Sequence, residues 1–173
     1  MRKSLFHVTQ ENTVQFVTFR TQASVAHYLE KHNIRIIEKK AKQQFDLDQY
    51  LDNSPVGAML NGELVTLLID FLKSKNDIEY KLFAVSIMPN HIHLLFQQIR
   101  PLASTMHRIK GASAYIINQH CKRSGMLWDK SYFDKVVRDE KQFQMTYQYI
   151  KDNAYKANLV DANHRFYGVY EDE

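Results

Sequence analysis

Cysteine is almost missing from this 173-residue chain, where Cys121 stands alone. A single thiol excludes an internal disulfide framework and any zinc site built from several thiolates, and it suits a reducing compartment. Its neighbours Lys122 and Arg123 mark an exposed basic helix end rather than the surroundings of a thiol nucleophile. Long hydrophobic runs are missing too. No N-terminal stretch has the apolar length of a signal peptide, and no segment approaches the roughly 20 apolar residues that cross a bilayer. The expectation is a cytoplasmic protein with no membrane partner. Internal repeats and low-complexity tracts are absent. Proline is scarce, and each of the three marks a break: Pro55 a loop, Pro89 a turn, Pro101 the end of a strand. Charge of one sign is only slightly in surplus, at +4 with a pI near 9.0, which permits a nucleic-acid partner without demanding one. The length fits a single domain over residues 1–173, with a polar surface tail after about residue 160.

What is present divides into short periodic segments. Val14–Arg20 alternates as a strand, and residues 23–46 have helical composition, although Asn33-Ile34-Arg35-Ile36-Ile37 is β-branched enough to count against a continuous helix. Asp52-Asn53-Ser54-Pro55 reads as a loop. Leu64, Leu67, Leu68, Phe71 and Leu72 form one helical stripe, with Asn61 placed to cap it. Two strands follow within residues 78–97, then a helix over 103–121 with Ser104 as its cap, then a strand over Tyr132–Arg138. Asp139 and Gln142 form a capping box that opens a last helix running to about Asn158. This order predicts an α+β fold: a ferredoxin-like split βαβ palm with a central antiparallel sheet and helices on one face.

The stretch KLFAVSIMPNHIHLLFQ, residues 81–97, organises the rest. Its Met-Pro-Asn turn folds one strand back on the other. Alternation then puts His91, His93 and Leu95 on one face and Ile92, Leu94 and Phe96 on the other. Two imidazoles about 7 Å apart along a strand converge on one small volume, a spacing suited to a divalent cation, although two hydrogen-bonded structural histidines fit the same spacing. In the last helix Phe143, Tyr147, Ile150, Ala154 and Ala157 make the buried stripe. Tyr149 lies roughly 200° around from Tyr147, with Asn153 one turn later on the same side, so both can face the histidines.

Met88-Pro89-Asn90-His91-Ile92-His93-Leu94-Leu95 resembles the signature of the single-tyrosine HUH transposases, in particular the REP-associated tyrosine transposase branch, and the resemblance runs from about Val14 to Val160. The family pattern Tyr-Ile-x-x-Asn-Pro is matched by Tyr149-Ile150-Lys151-Asp152-Asn153-Ala154, with alanine in place of proline. The resemblance implies that His91, His93 and Asn153 hold Mg²⁺ or Mn²⁺ and that Tyr149 attacks single-stranded or hairpin DNA. It implies a 5′-phosphotyrosine and a free 3′-OH, a homodimer, and no small-molecule cofactor. Strand transfer of this kind needs cations for phosphates and aromatics for bases. Arg108, Lys110, Lys122, Arg123, Lys135 and Arg138 are the candidate DNA-binding residues, each equally readable as a solvated surface charge. Trp128, in a Gly-x-x-Trp pattern, is not assigned to base stacking on that pattern alone. A noncatalytic DNA-binding protein of the same fold and a relaxase-like nicking nuclease are the alternatives.

Overall fold

The computed structural model describes residues 12–171. Its elements in order are β1 (Val14–Arg20), α1 (Gln22–Lys31), α2 (Ala41–Asp52), α3 (Glu63–Ser74), β2 (Tyr80–Ile87), β3 (His91–Gln98), α4 (Leu102–His120), β4 (Phe133–Val137), α5 (Glu140–Lys156), a 3-10 turn at Ala162–His164, and β5 (Phe166–Gly168). The strands form one sheet in the order β4-β1-β3-β2-β5, every neighbour antiparallel. The first four make the ferredoxin-like order expected from the sequence, with β3 at the centre. Among the described residues no helix is long and apolar enough to cross a membrane.

β3 is buried on both sides because both sides are covered. Ile92, Leu94 and Phe96 pack with Val17, Phe19, Val85 and Ile87 under Leu64, Val65, Leu68 and Leu72 of α3 and Met106, Ile109 and Ile117 of α4. Each such side chain, fully buried, contributes about 1.5–3 kcal/mol, so this layer dominates stability. Leu67 of the expected stripe is 44 % exposed, and Val65 takes the inward position instead. The opposite face carries Phe16, Leu95 and Ala84 under Tyr147 and Ile150 of α5. Helices therefore lie on both faces, not on one as expected: the split βαβ order does not say which side the last helix crosses, and Phe16, Leu95 and Ala84 on the second face pack against it. A bulge in β2 helps, since Leu82 pairs with Phe96 and Ala84 with Leu95, leaving Phe83 as an extra residue. Phe83 and Ala84 thus both turn towards α5.

Local chemistry departs from expectation at several points. The helical stretch expected over residues 23–46 breaks after Lys31, with Asn33 in the left-handed region at φ 51°, and α2 runs on through Asp52. The N-cap of α3 is Gly62 rather than Asn61, whose amide donates to the Ala58 carbonyl. Ser104 sits inside α4 and donates to the Pro101 carbonyl, so it caps nothing. The Asp139 cap is present: its carboxylate accepts from Gln142 N at 2.8 Å, while Gln142 Oε1 accepts from Arg138 N at 2.9 Å. The expected polar tail after residue 160 is largely built into the fold. Arg165 is 2 % exposed, donating to the Leu60 and Ile87 carbonyls at 2.9 Å each, to Asn61 Oδ1 and to Asp161 Oδ1. A guanidinium can be buried when its donors find acceptors, which composition alone does not reveal. β5 then pairs with β2.

Candidate active site

The hairpin turn sets the chemistry of the first histidine. Asn90 is fully buried, and its amide nitrogen donates to the Leu51 carbonyl at 2.8 Å and to the Ser54 carbonyl at 3.4 Å. Its oxygen must therefore be the atom that meets His91 Nδ1 at 2.7 Å. That contact makes Nδ1 the protonated nitrogen of His91 and leaves a lone pair on Nε2. His93 is held from the neighbouring strand, where Thr18 is its register partner and Thr18 Oγ1 lies 2.7 Å from His93 Nδ1. Phe16 stacks on the His93 ring at 5.6 Å. Both imidazoles are fully buried, with ring centroids 4.8 Å apart and planes at 81°. Burial drives both pKa values down, that of His93 to about 4 and that of His91 well below its ordinary value, so both rings are neutral.

α5 brings Tyr149 and Asn153 to the same place. The Tyr149 ring stands 5.5 Å from His93 and 6.0 Å from Phe16, edge-on to both. Burial raises the phenol pKa above its ordinary value, the carboxylates of Asp48 and Asp52 raise it further, and a hydrogen bond with the Asn153 side chain pulls it back. Asn153 is 4 % exposed and its Oδ1 has no partner. Ala154, where the related pattern has proline, packs against Met88 and Ala162, and α5 continues unbroken to Lys156. Tyr147 is 9 % exposed in the core beneath it, as its place on the stripe predicts.

Three charged residues that the sequence did not single out complete the site. Arg20, opposite His91 in register, is 6 % exposed and donates through Nε to Asp48 Oδ1 at 2.8 Å. Asp52, one turn after Asp48 on α2, has its Oδ1 3.7 Å from His91 Nε2. That distance is too long for a hydrogen bond, and the neutral ring makes it no ion pair. Burial first, and then Asp48, push the Asp52 carboxyl up to about 7. Five buried atoms here lack a hydrogen-bond partner: His91 Nε2, His93 Nε2, Asn153 Oδ1, Asp52 Oδ1 and Arg20 Nη2. His91 Nε2 and the two oxygens are acceptors, and His93 Nε2 is a fourth in the tautomer whose Nδ1–H donates to Thr18 Oγ1, a set suited to a borderline or hard dication. Among the described residues no three His, Cys, Asp or Glu side chains gather to hold an ion by themselves.

The basic residues named from the sequence divide by position. Lys135 lines a groove of about 310 Å³ that runs past Phe16, Phe133, Met145 and Tyr149. Arg138 lines a wider one, about 870 Å³, beside Phe143 and Tyr147. Arg108 is instead clamped to Glu79 through Nε at 2.9 Å and through Nη2 at 2.6 Å. Lys110 donates to the Asp129 and Lys130 carbonyls, and Arg123 to Asn118 Oδ1 and the Met126 carbonyl. These three brace α4 and the loop after it, whereas Lys122 is exposed just past the end of that helix. Trp128 is a core residue, 5 % exposed, edge-on to Phe19 and donating to Ser113 Oγ at 3.0 Å.

Residues 58–153, just over half of the chain, match the family described as "Transposase IS200 like". Two solved structures share the fold at a TM-score of 0.50. One is a REP-associated tyrosine transposase bound to a REP hairpin, 16 % identical, with 87 % of this chain and 72 % of that one covered. The other is a candidate transposase of Deinococcus radiodurans R1, 20 % identical, with 88 % of this chain and 97 % of that one covered. No curated protein matches the chain.

Proposed function

The chain belongs to the IS200-like transposases, and from that premise we propose that it cuts and rejoins single-stranded DNA with Tyr149 as nucleophile. The observation that carries this reading is that the Tyr149 ring stands 5.5 Å from His93, beside His91, while His91 Nε2, His93 Nε2 and Asn153 Oδ1 are all buried and unpartnered. His91, His93 and Asn153 would hold Mg²⁺ or Mn²⁺, with Asp52 Oδ1 facing the same space. Such a cation polarises the non-bridging phosphate oxygens and stabilises the departing 3′ oxygen.

The protein groups do the rest. Asn90 and Thr18 fix the ring orientations, leaving both Nε2 atoms as donors to a metal. Phe16 and His93 hold the Tyr149 ring between them, and the Asn153 side chain eases the loss of the phenol proton. In the cleavage step the bond from Tyr149 Oη to phosphorus forms, the bond from phosphorus to the 3′ oxygen breaks, and the phenol proton leaves as the 3′-OH gains one. The phosphotyrosine ester keeps the energy of the broken linkage, so a second 3′-OH can reverse the step and join new ends. Tyr149 already stands 5.5 Å from His93 of the same chain, which supports a tyrosine acting in cis. The groove past Phe16, Phe133 and Lys135 offers a path for a strand, with stacking faces and one cation. Hairpin DNA is the substrate to try first, since the REP-associated relative is bound to one.

The test is incubation of the protein and Mn²⁺ with a labelled pool of hairpin-bearing single strands of randomised sequence. A covalent adduct that survives denaturation, absent in Tyr149→Phe and in His91→Ala, is the expected result. DNA that is shifted in a gel but uncut by the wild type would replace this reading with the noncatalytic binder.

A further inference from the structure

We propose that Arg20 is a catalytic residue that grips the scissile phosphate: its free Nη2 donates to a non-bridging oxygen while its Nε stays on Asp48. The inference deepens the cleavage reading and rests on it. Two arginines are buried among the described residues, Arg20 at 6 % and Arg165 at 2 % exposure. They are buried for different ends. Arg165 commits both terminal nitrogens and Nε to named acceptors and ties the C-terminal segment to the hairpin. Arg20 has one named acceptor, Asp48 Oδ1, and its Nη2 is buried without a partner.

A structural ion pair would be expected to use the guanidinium fork fully, because a buried unpaired donor costs free energy. Here the spare donor lies where an anion must arrive. Arg20 is the register partner of His91 on the strand next to β3, two residues from Thr18, which holds His93. Its charge is felt by both imidazoles and by the Tyr149 phenol. The other polar side chains around that space include the two imidazoles, an amide, a phenol and the carboxylates of Asp48 and Asp52, and the one further cation nearby is Lys135, on the groove that Asp48 and Tyr149 line. A phosphodiester approaching two carboxylates needs positive charge beyond that of a metal, and Nη2 supplies a directed hydrogen bond as well. While Tyr149 Oη bonds to phosphorus and the 3′ oxygen leaves, Arg20 keeps its protons and stabilises charge on the equatorial oxygens.

The test compares wild type, Arg20→Lys and Asp48→Asn. It reads Mn²⁺ affinity, melting temperature and the single-turnover rate of adduct formation on the same randomised hairpin pool. Arg20→Lys keeps the charge but loses the fork. We expect Mn²⁺ affinity within about twofold of wild type and an adduct rate lower by roughly 10²-fold, the usual loss for one donor to a reacting anion. Asp48→Asn, which breaks the same ion pair from the other side, should lose at least tenfold less. Equal losses in the two variants would make Arg20 a mere partner of Asp48 and overturn the proposal, as would a wild-type rate in Arg20→Lys. If Arg20→Lys does not fold, Arg20→Gln/Asp48→Asn removes both charges together and carries the same rate comparison against Asp48→Asn. Mn²⁺ affinity unchanged in His91→Ala, or adduct surviving in Tyr149→Phe, would instead sink the cleavage reading itself.

Discussion

Replacing Asp52 by Asn removes a charge that the metal-free fold holds at a disadvantage. The Asp52 side chain is 12 % exposed, its Oδ1 has no hydrogen-bond partner, and it lies 3.7 Å from His91 Nε2, itself an acceptor. Burial, with Asp48 adding to it, raises the carboxyl from 3.8 to about 7. A carboxyl whose pKa is higher folded than unfolded favours the protonated native state. Its contribution to stability is therefore whole below about pH 4 and is lost as pH rises through about 7. At about 1.36 kcal/mol per pKa unit the loss is on the order of 4 kcal/mol, a ceiling because water and side-chain relaxation soften it. In EDTA, unfolding of wild type and Asp52→Asn by urea, followed through the buried Trp128, should give similar stabilities near pH 4. By about pH 8 the variant should be the more stable by up to about 4 kcal/mol. The depressed pKa values of His91 and His93 act in the opposite sense, losing stability as pH falls from about 6.5, but they are common to both proteins and largely cancel in the difference. Saturating Mn²⁺ should narrow the gap, since the carboxylate then faces a cation. A difference that does not change with pH, or a variant less stable than wild type at pH 8, would refute the assignment of Asp52 as a buried, uncompensated carboxylate.

Asn90→Ala frees His91 Nδ1 from its acceptor and so unfixes the tautomer; Mn²⁺ affinity by titration calorimetry should fall about 10- to 100-fold while far-ultraviolet dichroism is unchanged. Trp128→Phe removes the hydrogen bond to Ser113 and part of the packing on Phe19, and should cost about 1–3 kcal/mol in chemical unfolding with no change in affinity for single-stranded DNA. Gly168→Ala would set a methyl group against Tyr147 Oη and the Phe166 ring, and the overpacking should lower the melting temperature by the equivalent of about 1–3 kcal/mol.

How much of this was legible in the sequence depends on the range of the interaction. The face shared by His91 and His93 follows from strand alternation alone. The side shared by Tyr149 and Asn153 follows from helical spacing, and neither needs tertiary knowledge beyond a sheet with a helix upon it. Asp48 and Asp52 were not legible, because two acids one turn apart on a helix otherwise rich in polar residues read as a solvated face. Only the packing of Leu47 and Leu51 with Tyr28 rolls that helix so that its carboxylates point to the sheet. Arg20, at the end of a strand, reads as an exposed terminus until the register with His91 is known. The same blindness to long-range partners hid the internal bonds of Arg108, Lys110 and Arg123, which Glu79 and loop carbonyls accept. It also made the segment around Arg165 a tail, because the acceptors that permit its burial lie on α3's leading loop and on β2.

The pattern of unpartnered atoms constrains the ligand more tightly than any one residue does. An unmet buried polar atom costs about 1–3 kcal/mol, and five around one site would amount to a large share of the roughly 5–15 kcal/mol by which a domain is stable. Water can meet either kind of atom singly, at up to about 2 kcal/mol for each molecule immobilised. A cation alone would satisfy the two imidazoles, the amide and the carboxylate and leave Arg20 Nη2 unmet. An anion alone would satisfy Arg20 and be repelled by the carboxylates and lone pairs. A phosphodiester held by a divalent cation meets both demands together, and it does so beside a phenol already aimed by Phe16, His93 and Asn153. The affinity of this site for metal and for DNA should accordingly be coupled. Mn²⁺ should tighten binding of a single strand to Tyr149→Phe, and the strand should tighten Mn²⁺ by the same factor. Calorimetric titrations in the two orders measure both factors, and independence of the two ligands would show that they do not share the cavity.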